Sequence, residues 1–207
     1  PTARHARSRS VHRRRPTNGP GVGTVKLLPT PLTGLLEIEQ TTTGDARGHF
    51  TRLFCEQALA SIRPQLHFTQ INWSHTQGRG SLRGLHYQKP PAAEAKLIRC
   101  LRGRVYDVAV DVRADSPSFL RWHAVELGED NNRAFFLSEG FAHGFQALTD
   151  EVQLLYMHTA PWTPDCEAGL RYDDPLLAIA WPLPVAQVSA RDQAHPLIAP
   201  GFAGIRL

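Results

Sequence analysis

Side chains of catalytic type crowd one stretch, Ser81–Arg113 (SLRGLHYQKPPAAEAKLIRCLRGRVYDVAVDVR): Arg83, His86 and Gln88 lie within six residues, and Lys96 follows ten residues after His86. An imidazole can take and return a proton near neutral pH. A guanidinium fork matches phosphate oxygens, and a lysine ammonium can face charge that develops on an oxygen. Together these types suit proton transfer on an anionic organic substrate. His86 and His143 each have a glycine within two residues in an otherwise apolar segment, RGLHYQ and GFAHGF, where the backbone is permissive enough to place a buried imidazole. His67, His75, His123, His158 and His195 lack that context and read as structural or surface residues.

A metal site is the first rival. Metal-binding cupins carry a His-x-His pair, a glutamate and a later histidine; here His86, Glu94 and His143 are present, but Gln88 stands where the second histidine belongs. Two histidines and a glutamate can ligate iron, manganese or zinc. Arg83 and Lys96 beside them favour an anionic organic ligand over a divalent cation.

The elements that position these groups read as strands. Tyr106, Val108, Val110 and Val112 alternate with Asp107, Asp111 and Arg113, the period of a half-buried strand, and Lys-Pro-Pro ahead of Lys96 marks a loop between two strands. Val25–Leu28 and Leu35–Ile38 read as edge strands, Gly44–Phe54 as a turn and an alternating segment, and Cys55–Ile62 as a short helix. His67–Trp73 reads as a strand followed by a loop. Arg121–Leu127, Ala134–Leu137, Gly144–Leu148 and Val152–His158 are further strands, and the Pro- and Asp-rich tail from Pro161 is expected to wrap the barrel. Many short strands without a βαβ rhythm predict an all-β fold, a jelly-roll barrel or sandwich with little helix. Arg83 and His86 fall on opposite faces under strict alternation, so a shared cavity demands a bulge near Gly84.

The chain has 207 residues and a formal charge of +4, but six arginines lie in residues 1–15 with no acid among them; of 23 Lys+Arg and 19 Asp+Glu, the rest of the chain keeps 17 basic against 19 acidic, a net −2. That balance argues against nucleic-acid binding. Residues 1–24 are expected to form a disordered basic arm and 25–207 a single domain. No apolar run is long enough for a bilayer or a secretory signal, and three cysteines without paired spacing suggest neither a disulfide framework nor a zinc knuckle. A soluble cytoplasmic protein is the expectation.

The segments SLRGLHYQ, AKLIRCLRGRVYDVAVDVR, SPSFLRW, EGFAHGFQAL, LLY, GLRYDDP and IAWP occur in an order and spacing that resemble the dTDP-4-dehydrorhamnose 3,5-epimerase family, from about Leu32 to His195. The resemblance implies a cupin-fold homodimer, without metal or cofactor, that epimerises a nucleotide-linked 4-keto-6-deoxyhexose. Carried over residue by residue, His86 matches the general base, Asp192 the carboxylate that orients it, Tyr156 the acid on the opposite ring face, and Lys96 the lysine near the enolate oxygen, with His143 lining the same cavity. Arg83 and Arg47 match arginines that hold the diphosphate, Gln70 and Asn72 the strand that contacts the nucleotide, and Glu167 and Arg191 further ligand contacts. Tyr106 and Asp107 fit equally well as plain strand residues.

The chemistry is coherent with those roles. A 4-keto group acidifies the C3 and C5 protons because the carbanion delocalises onto O4; a cation near O4 then stabilises the enolate, and inversion requires a proton from the face opposite the base. Three departures from the family bear on specificity: Arg52 in place of a glutamate, MHTAPW after Tyr156 in place of a lysine and an acidic-aromatic run, and SEG in place of Pro-x-Gly before His143. Epimerisation at C3 alone or C5 alone, a metal-dependent cupin oxygenase or isomerase, and a non-catalytic sugar-binding cupin stay open from the residues themselves.

Overall fold

The computed structural model describes residues 25–207, and the arm expected over residues 1–24 lies outside the described residues. The first strands are β1 (Val25–Pro29), β2 (Leu35–Gln40), β3 (Thr43–Asp45) and β4 (Gly48–Phe50), followed by one helical turn, α1 (Glu56–Leu59). The central run is β5 (Gln70–Gln77), β6 (Ser81–Gln88), β7 (Lys96–Arg102) and β8 (Arg104–Asp111). Then come β9 (Trp122–Gly128), β10 (Arg133–Leu137), β11 (Phe141–Ala147), β12 (Glu151–His158), β13 (Glu167–Gly169), β14 (Gln187–Val188) and a second single turn, α2 (Ala190–Gln193). Two sheets carry the fold, one ordered β1-β2-β10-β7-β12-β5 and the other β13-β6-β11-β8-β9 with β14 alongside β6; β3 and β4 form a separate hairpin. The two sheets form the expected cupin-like sandwich, and among the described residues helix is confined to single turns.

Alternation decides which side chains meet. Ile98, Cys100, Phe135, Leu137, Phe145 and Leu154 fill a core to which both sheets contribute. The opposite faces are not left to solvent: Val108, Val110 and Val112 pack under Leu170, Leu177, Trp181 and Ile205 of the C-terminal tail. The tail therefore wraps the sandwich, and β8 is buried on both faces, where alternation alone suggested one. Ile38, Leu97, Phe136 and Met157 are covered by Leu59, Phe54, Ile62 and Phe68 around α1. Truncating one such core leucine or phenylalanine costs about 2–5 kcal/mol through lost burial and the cavity left behind.

Some boundaries moved. β2 lies between β1 and β10 and is not an edge strand. β5 begins at Gln70 and continues to Gln77, into the start of the segment read as a loop, because it pairs with β12 along its whole length, from Gln70 opposite His158 to Gln77 opposite Glu151. Gly44–Phe54 opens with the β3–β4 hairpin, whose partners run from Thr43 opposite Phe50 to Asp45 opposite Gly48.

Candidate active site

The bulge that Arg83 and His86 require is present. His143 of β11 faces His86 while Phe145 faces Arg83, so β6 carries one residue more than β11 between the two pairs. Gly84 occupies that irregularity with φ +105, and a Cβ there would stand 2.6 Å from the His143 carbonyl oxygen and 2.7 Å from Gly144 Cα. Only glycine fits. The shift turns Arg83 and His86 toward one cavity of about 920 Å³, which Tyr156 and Lys96 line from the other sheet.

Asp192 reaches His86 across 106 residues through the end of the chain. β14 runs parallel to β6 at Ser81 and Leu82, and Ser189 then caps α2 by accepting from the Asp192 amide at 3.1 Å. Asp192 Oδ1 lies 2.8 Å from His86 Nε2, and its Oδ2 accepts from the Gly84 amide at 2.9 Å. Burial alone would raise this carboxyl, but the hydrogen bonds from His86 and Gly84 outweigh it and hold it well below the ordinary carboxylate range. Two groups meet at Nε2: the charged carboxylate at 2.8 Å only accepts and the Arg191 guanidinium at 3.1 Å only donates, so the shorter Asp192 contact places the proton on Nε2, leaves Nδ1 its lone pair and makes Arg191 a neighbouring cation rather than a donor to the ring.

Tyr156, on β12, is half-buried against the core at the cavity wall, and desolvation pushes its phenol well above the ordinary range. Its hydroxyl meets Ser74 Oγ at 3.2 Å. His143 lies edge-on to the Tyr156 ring, with centroids 6.0 Å apart, and its Nε2 is 2.8 Å from Asp107 Oδ1. Asp107 is fully buried, and desolvation raises its carboxyl despite the His143 contact. Lys96 Nζ reaches Glu94 Oε1 at 3.0 Å and donates to the His86 carbonyl at 3.4 Å.

Asn72, Arg83, His86, Lys96, His143, Tyr156, Glu167, Arg191 and Asp192 thus share one cavity. Gln70 is not among the lining residues but donates to Asn72 Oδ1, in the lining, at 3.2 Å. Glu167, paired with Gln88 across β13–β6, meets Arg191 at 3.3 Å, and Arg191 Nη2 lies 3.1 Å from His86 Nε2. Arg47 is elsewhere: it sits in the turn of the exposed β3–β4 hairpin, where Asp45 engages its guanidinium at 2.6 Å. Reasoning from sequence passed over Ser74, treated Asp107 as a plain strand residue, and left His158 among the structural histidines. The placement of Asp107 on the polar face of β8 was the signal available for it.

The metal set weighed from the sequence is not assembled. Glu94 is engaged by Lys96 and His158, and His143 by Asp107. Among the described residues the group of three potential ligands whose atoms all lie within 4.8 Å of one another is His86, Asp192 and His195. His195 Nε2 is buried without a hydrogen-bond partner and abuts Gly169, and burial lowers this imidazole.

Comparison with known proteins places this architecture. A family model described as dTDP-4-dehydrorhamnose 3,5-epimerase matches residues 29–200. A dTDP-4-dehydrorhamnose 3,5-epimerase of Sinorhizobium fredii is 39% identical over 154 residues, 74% of this chain and 79% of that protein. A dTDP-4-dehydrorhamnose 3-epimerase of Streptomyces niveus is 38% identical over 176 residues, 84% of each chain. The crystal structure of the dTDP-6-deoxy-D-glucose-3,5-epimerase of Legionella pneumophila, in complex with dTDP-4-keto-L-rhamnose, superimposes with a TM-score of 0.83 at 37% identity, covering 88% of this chain and 98% of the other.

Proposed function

The chain belongs to the dTDP-4-dehydrorhamnose 3,5-epimerase family, and from that premise we propose that it inverts C3 and C5 of dTDP-4-dehydro-6-deoxy-D-glucose by two-sided proton transfer through an enolate. The observation that carries this reading is that His86 and Tyr156 line one cavity from opposite sheets. His86 Nδ1 takes the proton alpha to the ketone, and Asp192 balances the imidazolium that results. The electron pair moves onto O4, where the Lys96 ammonium and His143 are at hand. The enolate collapses as the Tyr156 hydroxyl delivers a proton to the other face, leaving the carbon inverted and the ketone restored. Each cycle ends with His86 losing its proton and the tyrosinate regaining one, so no group is consumed.

Arg83 at the cavity wall suits the diphosphate, with Asn72, Gln70, Glu167 and Arg191 toward the nucleotide. Arg47 lies outside its own chain's cavity, so its diphosphate role requires a homodimer in which the β3–β4 hairpin reaches the neighbouring cavity. A cytoplasmic enzyme without cofactor completes the reading; among the described residues no helix is long and apolar enough to cross a membrane. The Streptomyces niveus relative, a 3-epimerase, favours one alternative, inversion at C3 alone. Incubation with dTDP-4-dehydro-6-deoxy-D-glucose and NMR of the ring couplings decides: two inverted centres support the proposal, inversion at C3 alone supports the alternative, and unchanged substrate refutes both.

A further inference from the structure

Two residues that the catalytic proposal does not use, Glu94 and His158, join Gln70, Asn72 and Lys96 in a hydrogen-bonded chain that runs into the buried cavity wall. Gln70 Nε2 donates to Asn72 Oδ1 at 3.2 Å, and Asn72 Nδ2 lies 3.4 Å from His158 Nε2. His158 Nδ1 meets Glu94 Oε2 at 2.9 Å, and Lys96 Nζ meets Glu94 Oε1 at 3.0 Å. Strand pairing builds it: His158 stands opposite Lys96 on one side and opposite Gln70 on the other. Glu94, Lys96 and His158 are each at most 9% exposed.

The geometry points to Glu94 and His158 as positioning residues that fix the Lys96 ammonium in the cavity wall. A lysine is a point charge on a flexible four-carbon stem, so holding it at one place requires an oriented acceptor. Glu94 supplies the counter-charge that a buried ammonium requires. His158 occupies the second carboxylate oxygen and prevents the carboxylate from turning both oxygens onto Nζ. Burial would raise the Glu94 carboxyl, yet the His158 hydrogen bond and the Lys96 charge bring it below its ordinary value, consistent with an ionised acceptor. Of the three Nζ protons, one goes to Glu94 and one to the His86 carbonyl, which leaves the third for a cavity occupant. The Glu94 carboxylate only accepts, so His158 Nδ1 carries a proton, and with Asn72 Nδ2 facing Nε2 the contacts fit an Nδ1–H tautomer whose Nε2 accepts.

The kinetic part of the test rests on the proposed epimerase reaction; the spectroscopic part does not. In His158→Asn the amide nitrogen stands near the Nδ1 position and can still donate to Glu94, whereas His158→Leu cannot donate. His158→Gln, whose amide reaches toward Nε2, replaces the leucine variant if that chain does not fold. The loss of one hydrogen bond to a charged group predicts a fall in kcat of about tenfold or more in His158→Leu with KM within about threefold, and recovery of most of kcat in His158→Asn. Parental kcat in a folded His158→Leu, or His158→Asn no better than His158→Leu, overturns the assignment. Imidazole nitrogen-15 NMR of the ligand-free protein should show the His158 Nδ1–H tautomer; an Nε2–H tautomer overturns it as well. A parent enzyme inactive on the 4-keto sugar nucleotide would refute the proposed reaction, with the spectrum still deciding the role of His158.

Discussion

Replacing Asp192 by asparagine changes one heavy atom and leaves the shape, yet both contacts of the carboxylate require an acceptor: His86 Nε2 at 2.8 Å and the Gly84 amide at 2.9 Å. The amide offers one acceptor and one donor. If its oxygen stays on Gly84, its NH2 faces His86 and favours the imidazole with Nε2 bare and the proton on Nδ1, which removes the lone pair proposed as the base. A hydrogen bond to a charged partner contributes about 1.5–3 kcal/mol, and each 1.36 kcal/mol is tenfold in rate. Loss of imidazolium stabilisation therefore predicts a fall in kcat on the order of 10- to 100-fold, and the misplaced proton carries it toward about 1,000-fold. Because neither effect touches the diphosphate end, kcat and kcat/KM should fall together. The assay is steady-state turnover of the dTDP-linked 4-keto sugar at saturating and limiting concentration, with a thermal melt to confirm folding. A folded Asp192→Asn enzyme within about threefold of the parental kcat would refute the reasoning.

Gly84→Ala should lower stability by about 2 kcal/mol or more and abolish turnover, since φ +105 is unfavourable for any side chain and the Cβ would meet the His143 carbonyl; thermal melting beside activity reads both, and a parental melting temperature would contradict the packing. The Asp192 carboxyl is depressed in the folded chain, so its contribution to stability is present above the ordinary value of 3.8 and is lost as pH falls below it toward the depressed value. The stability difference between the parent and Asp192→Asn should therefore shrink as the pH is taken from 6 to about 2.5 in denaturant titrations. A difference that grew on acidification would reverse the assigned sign.

The strand-forming segments around the site were legible from alternation alone. β8 reads directly, and the conflict between Arg83 and His86 located the bulge at Gly84 before any coordinates. What alternation misses is what covers a strand. The valines of β8 were expected to face a core, but Asp107 is also buried, bonded to His143 of the neighbouring β11 in a pairing that no local window contains, and Asp111 is buried with Arg113, Ser116 and Ser118 around it. β5 was read as ending at Trp73, four residues short of Gln77, because His75, Thr76 and Gln77 resemble loop residues; only pairing with β12 makes them strand. The His86–Asp192 contact was inferred from family resemblance, since nothing local in SARDQ points to a strand 106 residues away. The Glu94–His158 pair was invisible for the same reason: its members are 64 residues apart and meet only through the β7–β12 register.

The central claim is that base and acid act from opposite faces of the sugar, and the Tyr156→Phe enzyme in deuterated water tests it most directly. Phenylalanine keeps the packed ring and removes only the hydroxyl that meets Ser74, so His86 can still take a proton and return a deuteron to the same face. NMR of dTDP-4-dehydro-6-deoxy-D-glucose recovered from that reaction should show deuterium at the exchangeable ring carbons with their configuration retained and little epimer formed. Epimer produced by the folded Phe variant at a rate close to that of the parent would contradict the account.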